Sequence, residues 1–435
     1  MDQLFYQYYQ PSSAAPFVPP EGGGGPPDAA YDSSSESHTG STGSTSETSF
    51  SWNHDPVASP NSILVFVFEN ANAESCTGVT YGGASLTRVP WSLSRDTSTE
   101  PGSVIAYFKG SSIPTDDPAS VVVSRTNNAN EMYAICIAFT GDTTMGIVGD
   151  PVKLQENQAL SEQSVNTGSV TAVRVAALNS GLASATTING ASSTIARLID
   201  FSAGRSAIAV YETTPGSGSR SIGFSAASDD VAAIHLAVAN GNWAVFKATS
   251  NSGGVDCSST TYSTARTGGG TLNLESYGTL YESGQKFATP NYYCYELFLE
   301  FDTSTIGGSS TVTSAVFAID GGGDSSTTNF VSQVRKNDYG ASLTTGDFVS
   351  GASLSALTLL ATWDSTGSDP TGGWPGPYFK FVDVAFAANV EKTTPTRVIV
   401  TSDRLAAGTT PTTDEYGWVN VSTSGSEPTL SVFWS

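Results

Sequence analysis

The sequence predicts an all-β protein: two tandem β-sandwich or jelly-roll-like domains preceded by an extended, low-complexity N-terminal arm. Three observations carry this reading. Only 13% of the 435 residues are charged while 44 are Gly, a composition that suits strands and turns better than the charged faces of surface helices. Apolar residues come as short runs or strict alternation bounded by Gly, Pro, Asn, Asp or Ser, which is the pattern of strands joined by reverse turns. The length exceeds what one hydrophobic core organises, so more than one domain is expected.

Residues 1–49 differ from the rest. An aromatic start containing Leu4, Phe5, Tyr6, Tyr8 and Tyr9 leads into a Pro/Gly stretch and then a Ser/Thr/Gly tract. Such a segment buries too little apolar surface to offset its chain entropy, so alone it is expected to be disordered. The aromatic start is the candidate assembly anchor, and the Pro/Gly stretch its tether.

The first domain is assigned to 50–242. Residues 62–68 are apolar on both faces and read as a strand buried on both sides. Strands follow at 104–108, 121–123, 132–139, 170–177, 207–211 and 231–239. In the last, Ile234, Leu236 and Val238 share one face while His235 lies on the other. The second domain is assigned to 243–435. Its clearest strand is 295–301, where Leu297, Leu299 and Phe301 alternate with Glu296, Phe298 and Glu300, predicting one buried and one mostly wet face. Strands are expected also at 312–319, 330–334, 357–363, 379–386, 397–401, 418–421 and 430–434. The apolar phase slips between Phe381 and Val382, which predicts a β-bulge. Between the two domains there is shared strand grammar and no residue-level repeat.

Charge and cysteine usage exclude several classes. Eighteen Lys and Arg against forty Asp and Glu leave too little positive charge for extensive phosphate contacts, so neither nucleic acid nor an anionic membrane is an expected partner. No apolar run approaches the length of a membrane helix, and the first ten residues lack the basic and apolar regions of an export signal. The four Cys are too sparse for a disulfide scaffold. Cys136 reads as a small buried hydrophobe, while the pairing of Cys257 with Cys294 stays open.

The run Cys76-Thr77-Gly78-Val79-Thr80-Tyr81-Gly82-Gly83-Ala84-Ser85-Leu86-Thr87-Arg88-Val89, with Ala138-Phe139-Thr140-Gly141 further on, resembles a β-sandwich module of bacteriophage structural proteins and some bacterial surface proteins. Tyr81-Gly82-Gly83 is expected to turn a hairpin with positive φ at Gly. The second domain is similar to a jelly-roll module in which a strand ending Phe301-Asp302-Thr303-Ser304 precedes Thr311-Val312-Thr313-Ser314-Ala315. The resemblance implies a virion structural protein of a tailed phage, made in the host cytoplasm without a signal peptide and displayed on the particle exterior. A head decoration or fibre-type homo-oligomer is implied, held to capsid or tail proteins by its arm. Such modules bring no catalytic residues.

The chemistry-bearing residues point to a non-enzyme. Only His38, His54 and His235 are present, and each reads as satisfied or solvent-facing. No metalloprotease, nucleophile-elbow or phosphate-loop motif occurs. Asp320 and Asp324 flank three Gly and are weak candidates for a Ca²⁺ loop, although an ordinary Gly-rich turn fits better; no cofactor is expected. Asp364, Asp369, Trp374 and Tyr378 group aromatic rings with carboxylates in one loop and are the candidate contacts to host-surface glycans. An adhesin is therefore the alternative to the structural reading, and a polysaccharide depolymerase is third.

Overall fold

A computed structural model describes residues 28–38 and 47–435, apart from 72–73, 91, 97–101, 116–117, 127–129, 150, 160–161, 182–188, 192, 201–204, 226–227, 277, 279, 325, 365–378, 383 and 422–426. The protein is all-β. The N-terminal part forms β1 (Ala30–His38), β2 (Ser49–His54), β3 (Ser62–Glu69), β4 (Cys76–Tyr81), β5 (Ala84–Ser85), β6 (Thr87–Arg88), β7 (Ser94–Asp96), β8 (Gly102–Lys109), β9 (Ala119–Arg125) and β10 (Met132–Thr140). Then come β11 (Met145–Ile147), β12 (Val152–Ala159), β13 (Glu162–Asn166), β14 (Val173–Ser180), β15 (Asn189–Ala191), β16 (Thr194–Asp200), β17 (Ser206–Tyr211), β18 (Ser219–Ser225) and β19 (Ser228–Asn240).

These strands make four antiparallel sheets stacked as four layers. Sheet β1-β10-β3-β8-β6 packs one face against sheet β11-β19-β14-β17-β16 through a central core holding Phe66, Phe108, Ile135, Val175 and Leu236. Its other face packs on β2-β9-β4-β5 around Val65, Tyr81 and Val121. The far face of the second sheet packs on β13-β18-β15 around Leu178, Ile208 and Phe224. Double-sided burial is why residues 63–68 and 132–139 are apolar throughout: every residue of β3 is buried, as sheets sandwiched between layers require.

The strand orders reveal an internal duplication. In the first half β10 lies between β1 and β3, β8 follows β3, and β9 lies between β2 and β4. In the second half β19 lies between β12 and β14, β17 follows β14, and β18 lies between β13 and β15. Ala134-Ile135-Cys136-Ile137-Ala138 then matches Ala233-Ile234-His235-Leu236-Ala237, and Ser103-Val104-Ile105-Ala106 matches Ser206-Ala207-Ile208-Ala209. The region assigned to one sandwich is thus two sandwiches packed back to back. The repeat has a period of roughly one small domain, and it escapes a comparison of the two domains because both copies lie within the first.

The boundary of the arm is also corrected. Residues 30–38 form β1, which pairs with β10 along its length, so the folded region begins well before residue 50. Several of its polar side chains are tied in: Asp32 accepts the backbone N–H groups of Val57 and Ala58 at 2.9 and 3.0 Å, and Ser35 Oγ accepts the Trp52 indole N–H at 2.8 Å. Tyr31 stacks on Tyr211, 3.7 Å between centroids. Gly82 and Gly83 adopt φ of 55° and 79° in the two-residue β4–β5 turn, the positive values expected of that hairpin.

The C-terminal domain contains β20 (Asn242–Lys247), β21 (Gly253–Ser259), β22 (Thr271–Ser276), β23 (Leu280–Ala288), β24 (Asn291–Phe301), β25 (Val312–Asp324), β26 (Val331–Lys336), β27 (Leu359–Asp364), β28 (Phe379–Val382), β29 (Thr396–Ser402), β30 (Asp414–Asn420) and β31 (Thr429–Trp434). Short helices α1 (Tyr262–Arg266), α2 (Gly351–Leu354), α3 (Val384–Ala388) and α4 (Asp403–Ala407) decorate it. One layer is β22-β21-β24-β29-β26-β27; β23 leaves β24 to join β30-β25-β31-β20 in the other. Leu297, Phe301, Phe317, Val400, Val419 and Val432 fill the space between. Phe433 seats in the outer core of the second repeat, and Trp243 meets Phe108 edge-on at 5.7 Å, so the C-terminal domain packs directly on the duplicated part.

Three expectations about this domain fail for identifiable reasons. The slip after Phe381 is not a bulge: Phe381 and Val382 pair with Phe317 and Val316 with no register shift, the strand ends at Val382, and α3 follows and lays Phe386 flat on Phe317, 5.3 Å between centroids. The mostly wet face of β24 is buried, Glu296 and Glu300 included, because α1, α2 and α4 cover it with Tyr262, Leu354 and Leu405 in a second core. Asp320 and Asp324 do not sit in a turn; they belong to β25, which pairs with β30 across a bulge between Gly321 and Gly323. A strand aims successive carbonyls to opposite sides and does not wrap an ion as a Ca²⁺ loop does.

Candidate functional site

Side chains of directly opposed residues share one face of an antiparallel sheet. Where β23 parts from β24, the register places Lys286 opposite Tyr293 and Gly284 opposite Tyr295. It also places Gly284 opposite Tyr416 and Glu282 opposite Trp418, Asp256 opposite Tyr295, and Asn273 opposite Asp256. One continuous face over five strands therefore carries Asn273, Asp256, Tyr293, Tyr295, Lys286, Glu282, Tyr416 and Trp418.

Aromatic contacts hold this face together. Tyr293 and Tyr295 stack with centroids 6.1 Å apart and 8° between planes; Tyr295 meets Tyr416 at 5.5 Å, and Tyr416 meets Trp418 edge-on at 5.7 Å. The Lys286 ammonium lies 5.0, 5.3 and 5.1 Å from the ring centres of Tyr293, Tyr295 and Tyr416, within range of a cation–π attraction to each. Gly284, φ 128°, supplies the room: a Cβ there would come within 2.3 Å of the Glu415 carbonyl oxygen. Tyr295 and Tyr416 are buried, whereas Tyr293, Trp418, Lys286, Glu282 and Asp256 are half-buried and Glu275 is exposed.

Carboxylates gather at one side. Burial pushes the Asp256 carboxyl up; Asn273 Nδ2 donates to it at 3.1 Å and partly offsets this, and Glu282 adds repulsion. Burial also raises Glu275, with Glu282 and Asp256 adding to it. The arrangement offers aromatic rings, hydrogen-bond acceptors and one ammonium donor on a partly exposed surface. Sugar rings have that complementarity, with C–H groups for aromatic faces and hydroxyls for polar groups.

Below this face, Glu415 accepts Arg404 Nε and Nη2 at 2.7 and 2.9 Å and Gln285 Nε2 at 2.6 Å. Tyr262 donates to Gln285 Oε1 at 2.7 Å. This network ties α1 and α4 to β23 and β30, so the strands bearing the aromatic rings are fixed from behind.

None of the residues singled out from the sequence is among the described residues of this face. Leu4, Phe5, Tyr6, Tyr8 and Tyr9, and likewise Asp369, Trp374 and Tyr378, lie outside the described residues. Asp364 ends β27 with its backbone opposite Val331, and its side chain is outside the description. His54 and His235, read as satisfied or solvent-facing, are both fully buried. Ser35 Oγ lies 2.7 Å from His54 Nδ1, and His235 Nδ1 lies 3.3 Å from the Val152 carbonyl oxygen. Among the described residues no group of three or more His, Cys, Asp or Glu is arranged to hold a metal ion, and no described helix is long and apolar enough to cross a membrane. The aromatic face is not legible in the sequence because its halves lie far apart in the chain. The spacing Tyr293-x-Tyr295, and Tyr416-x-Trp418 beyond it, was the only local signal. No family model and no curated protein matches the chain.

Proposed function

We propose that this protein is a non-catalytic structural component displayed on a tailed-phage particle, and that its C-terminal domain binds carbohydrate of the host surface. The carbohydrate reading rests on one observation, the face on which Tyr293, Trp418 and Lys286 stand half-buried beside Asp256 and Glu282. The particle reading is supported by the V-T-Y-G-G-x-x-L-T-R-V resemblance at 79–89 and by a build of stacked sandwiches. Net charge −22 repels an anionic envelope only within a Debye length of about 8 Å at physiological salt, so attachment depends on short-range contacts of this kind.

Glycan-array and calorimetric titration of the whole chain test the first part. The wild type is expected to bind, and Tyr293→Ala and Trp418→Ala to weaken binding about tenfold, or ~1.4 kcal/mol, with unchanged melting. A wild type that binds no glycan overturns the carbohydrate reading. Release of reducing ends that vanishes in Asp256→Asn or Glu282→Gln establishes the depolymerase instead. Antibody labelling of intact particles tests the second part, and absence of the chain from purified particles overturns it.

A further inference from the structure

Cys257 on β21 stands directly opposite Cys294 on β24 in the antiparallel register. Both are free thiols and both are fully buried. Opposed residues of an antiparallel pair have Cα atoms about 4.5 or about 5.5 Å apart, depending on whether they exchange hydrogen bonds. Either value falls in the range of about 4.4 to 6.8 Å that a disulfide spans, so the register admits the bond with at most a small local adjustment of the two residues.

We propose that Cys257 and Cys294 are a modification site, closing into a cross-strand disulfide that staples β21 to β24 when the protein meets an oxidising low-molecular-weight disulfide. The step balances as two thiol–disulfide exchanges. One Cys thiolate attacks oxidised glutathione, forming a mixed disulfide and expelling one glutathione thiolate. The second Cys thiolate attacks the protein sulfur of that mixed disulfide, forming the Cys257–Cys294 bond and expelling the other. Two protons leave the cysteines, and glutathione disulfide is reduced to two thiols.

The surroundings set when this happens. Helix α1 follows β21 and packs on the pair, with Tyr262 and Ala265 sharing a core with Cys294. Burial raises both thiols above their ordinary range, so exchange is slow in the closed state and depends on α1 lifting. Five residues of helix are far too short to be stable away from the sheet, which makes this lifting a local event. The staple lies on the strands bearing Asp256 and Tyr295, on the opposite face, and closes the loop between positions 257 and 294. Its formation does not depend on any ligand at that face.

The whole chain incubated with oxidised glutathione at about pH 8.5, near the ordinary thiol range, is digested without reduction and mapped. A peptide pair joined through Cys257 and Cys294 is expected, with the melting temperature of the C-terminal domain raised by several degrees over the reduced protein. Cys257→Ser and Cys294→Ser are expected to show no such shift, which separates the staple from any oxidation at Cys76 or Cys136. Recovery of Cys257 and Cys294 as unlinked thiols or as separate glutathione adducts, in mild denaturant as well as in buffer, overturns the proposal.

Discussion

Cys136 and His235 occupy the same point of the two repeats. Cys136 lies opposite Val65 on β3 and His235 opposite Ala176 on β14. Cys136 joins the first outer core, and His235 meets Phe224 of the second edge-on at 5.9 Å. A thiol is a small hydrophobe there, but an imidazole brings two nitrogens. Nδ1 has the Val152 carbonyl, while Nε2 has no partner, so the ring is held neutral.

That neutrality gives a pH dependence with a definite sign. Burial lowers His235 from 6.5 to about 4, and burial likewise lowers His54 to about 4, against a smaller opposing pull from Asp32. Below pH 6.5 the unfolded chain takes up protons that the folded chain refuses until about pH 4, so stability falls on acidification through that window. The loss is up to about 3 kcal/mol for each histidine. His235→Cys, the residue of the sister repeat, should flatten part of the slope in melting experiments from pH 7 to 4. An unchanged slope would count against the burial argument.

Glu296 should act with the opposite sign. Burial raises its carboxyl well above 4.5, only partly offset by the Val349 N–H that donates at 2.8 Å, and Oε1 has no partner. Its contribution is fully present below pH 4.5 and is lost as pH rises through the elevated folded value. Glu296→Gln, which keeps the shape without the charge, is expected to raise the melting temperature at neutral and alkaline pH and to change little near pH 4. A lower melting temperature at pH 8 would refute this.

Arg174 is fully buried and is the anchor of the second repeat. It donates to the carbonyl oxygens of Val165, Gly216 and Gly218 at 3.0, 2.9 and 2.6 Å, and to Glu212 at 3.1 Å. Arg174→Met should cost about 3–5 kcal/mol, because it strands these acceptors without water. The urea midpoint measures it, and a shift smaller than that of a typical surface substitution would contradict the assignment.

Truncation should separate the arm from the strand inside it. A chain beginning at residue 28 retains every described contact of β1, whereas one beginning at residue 39 removes Ala29 and Tyr31 from the central core and bares the edge of β10. The second should melt lower and aggregate through that edge, and the first should not. Equal melting of the two would mean that β1 adds nothing to the fold.

Gly82→Ala should destabilise the first repeat by about 1–3 kcal/mol. At φ 55° the new Cβ would stand 2.6 Å from Pro114 Cβ, so backbone strain and overlap add. Gly83→Ala meets nothing within 4 Å and carries only the strain of φ 79°, so it should cost less. The order of the two melting temperatures checks the geometry.

Much of the fold was legible in the sequence because strand periodicity and turn chemistry are local. The apolar run 63–68, the alternation at 295–301 and the Gly82-Gly83 turn each declare an element from their own residues. What the far side of a sheet touches is not local. Glu296 reads as solvent-facing until α1 and α4 cover it, His235 as satisfied or solvent-facing until a fourth layer lies over β19, and the Ser-rich stretch 30–38 as part of a disordered arm until β10 offers a row of unpaired backbone groups. Tyr295 and Tyr416 are remote in sequence and share a face only through the register of β24, β23 and β30. Composition and periodicity determined that this is a β protein. Tertiary structure alone decided which faces stay dry, because burial depends on what packs against a surface and not on the residues that form it.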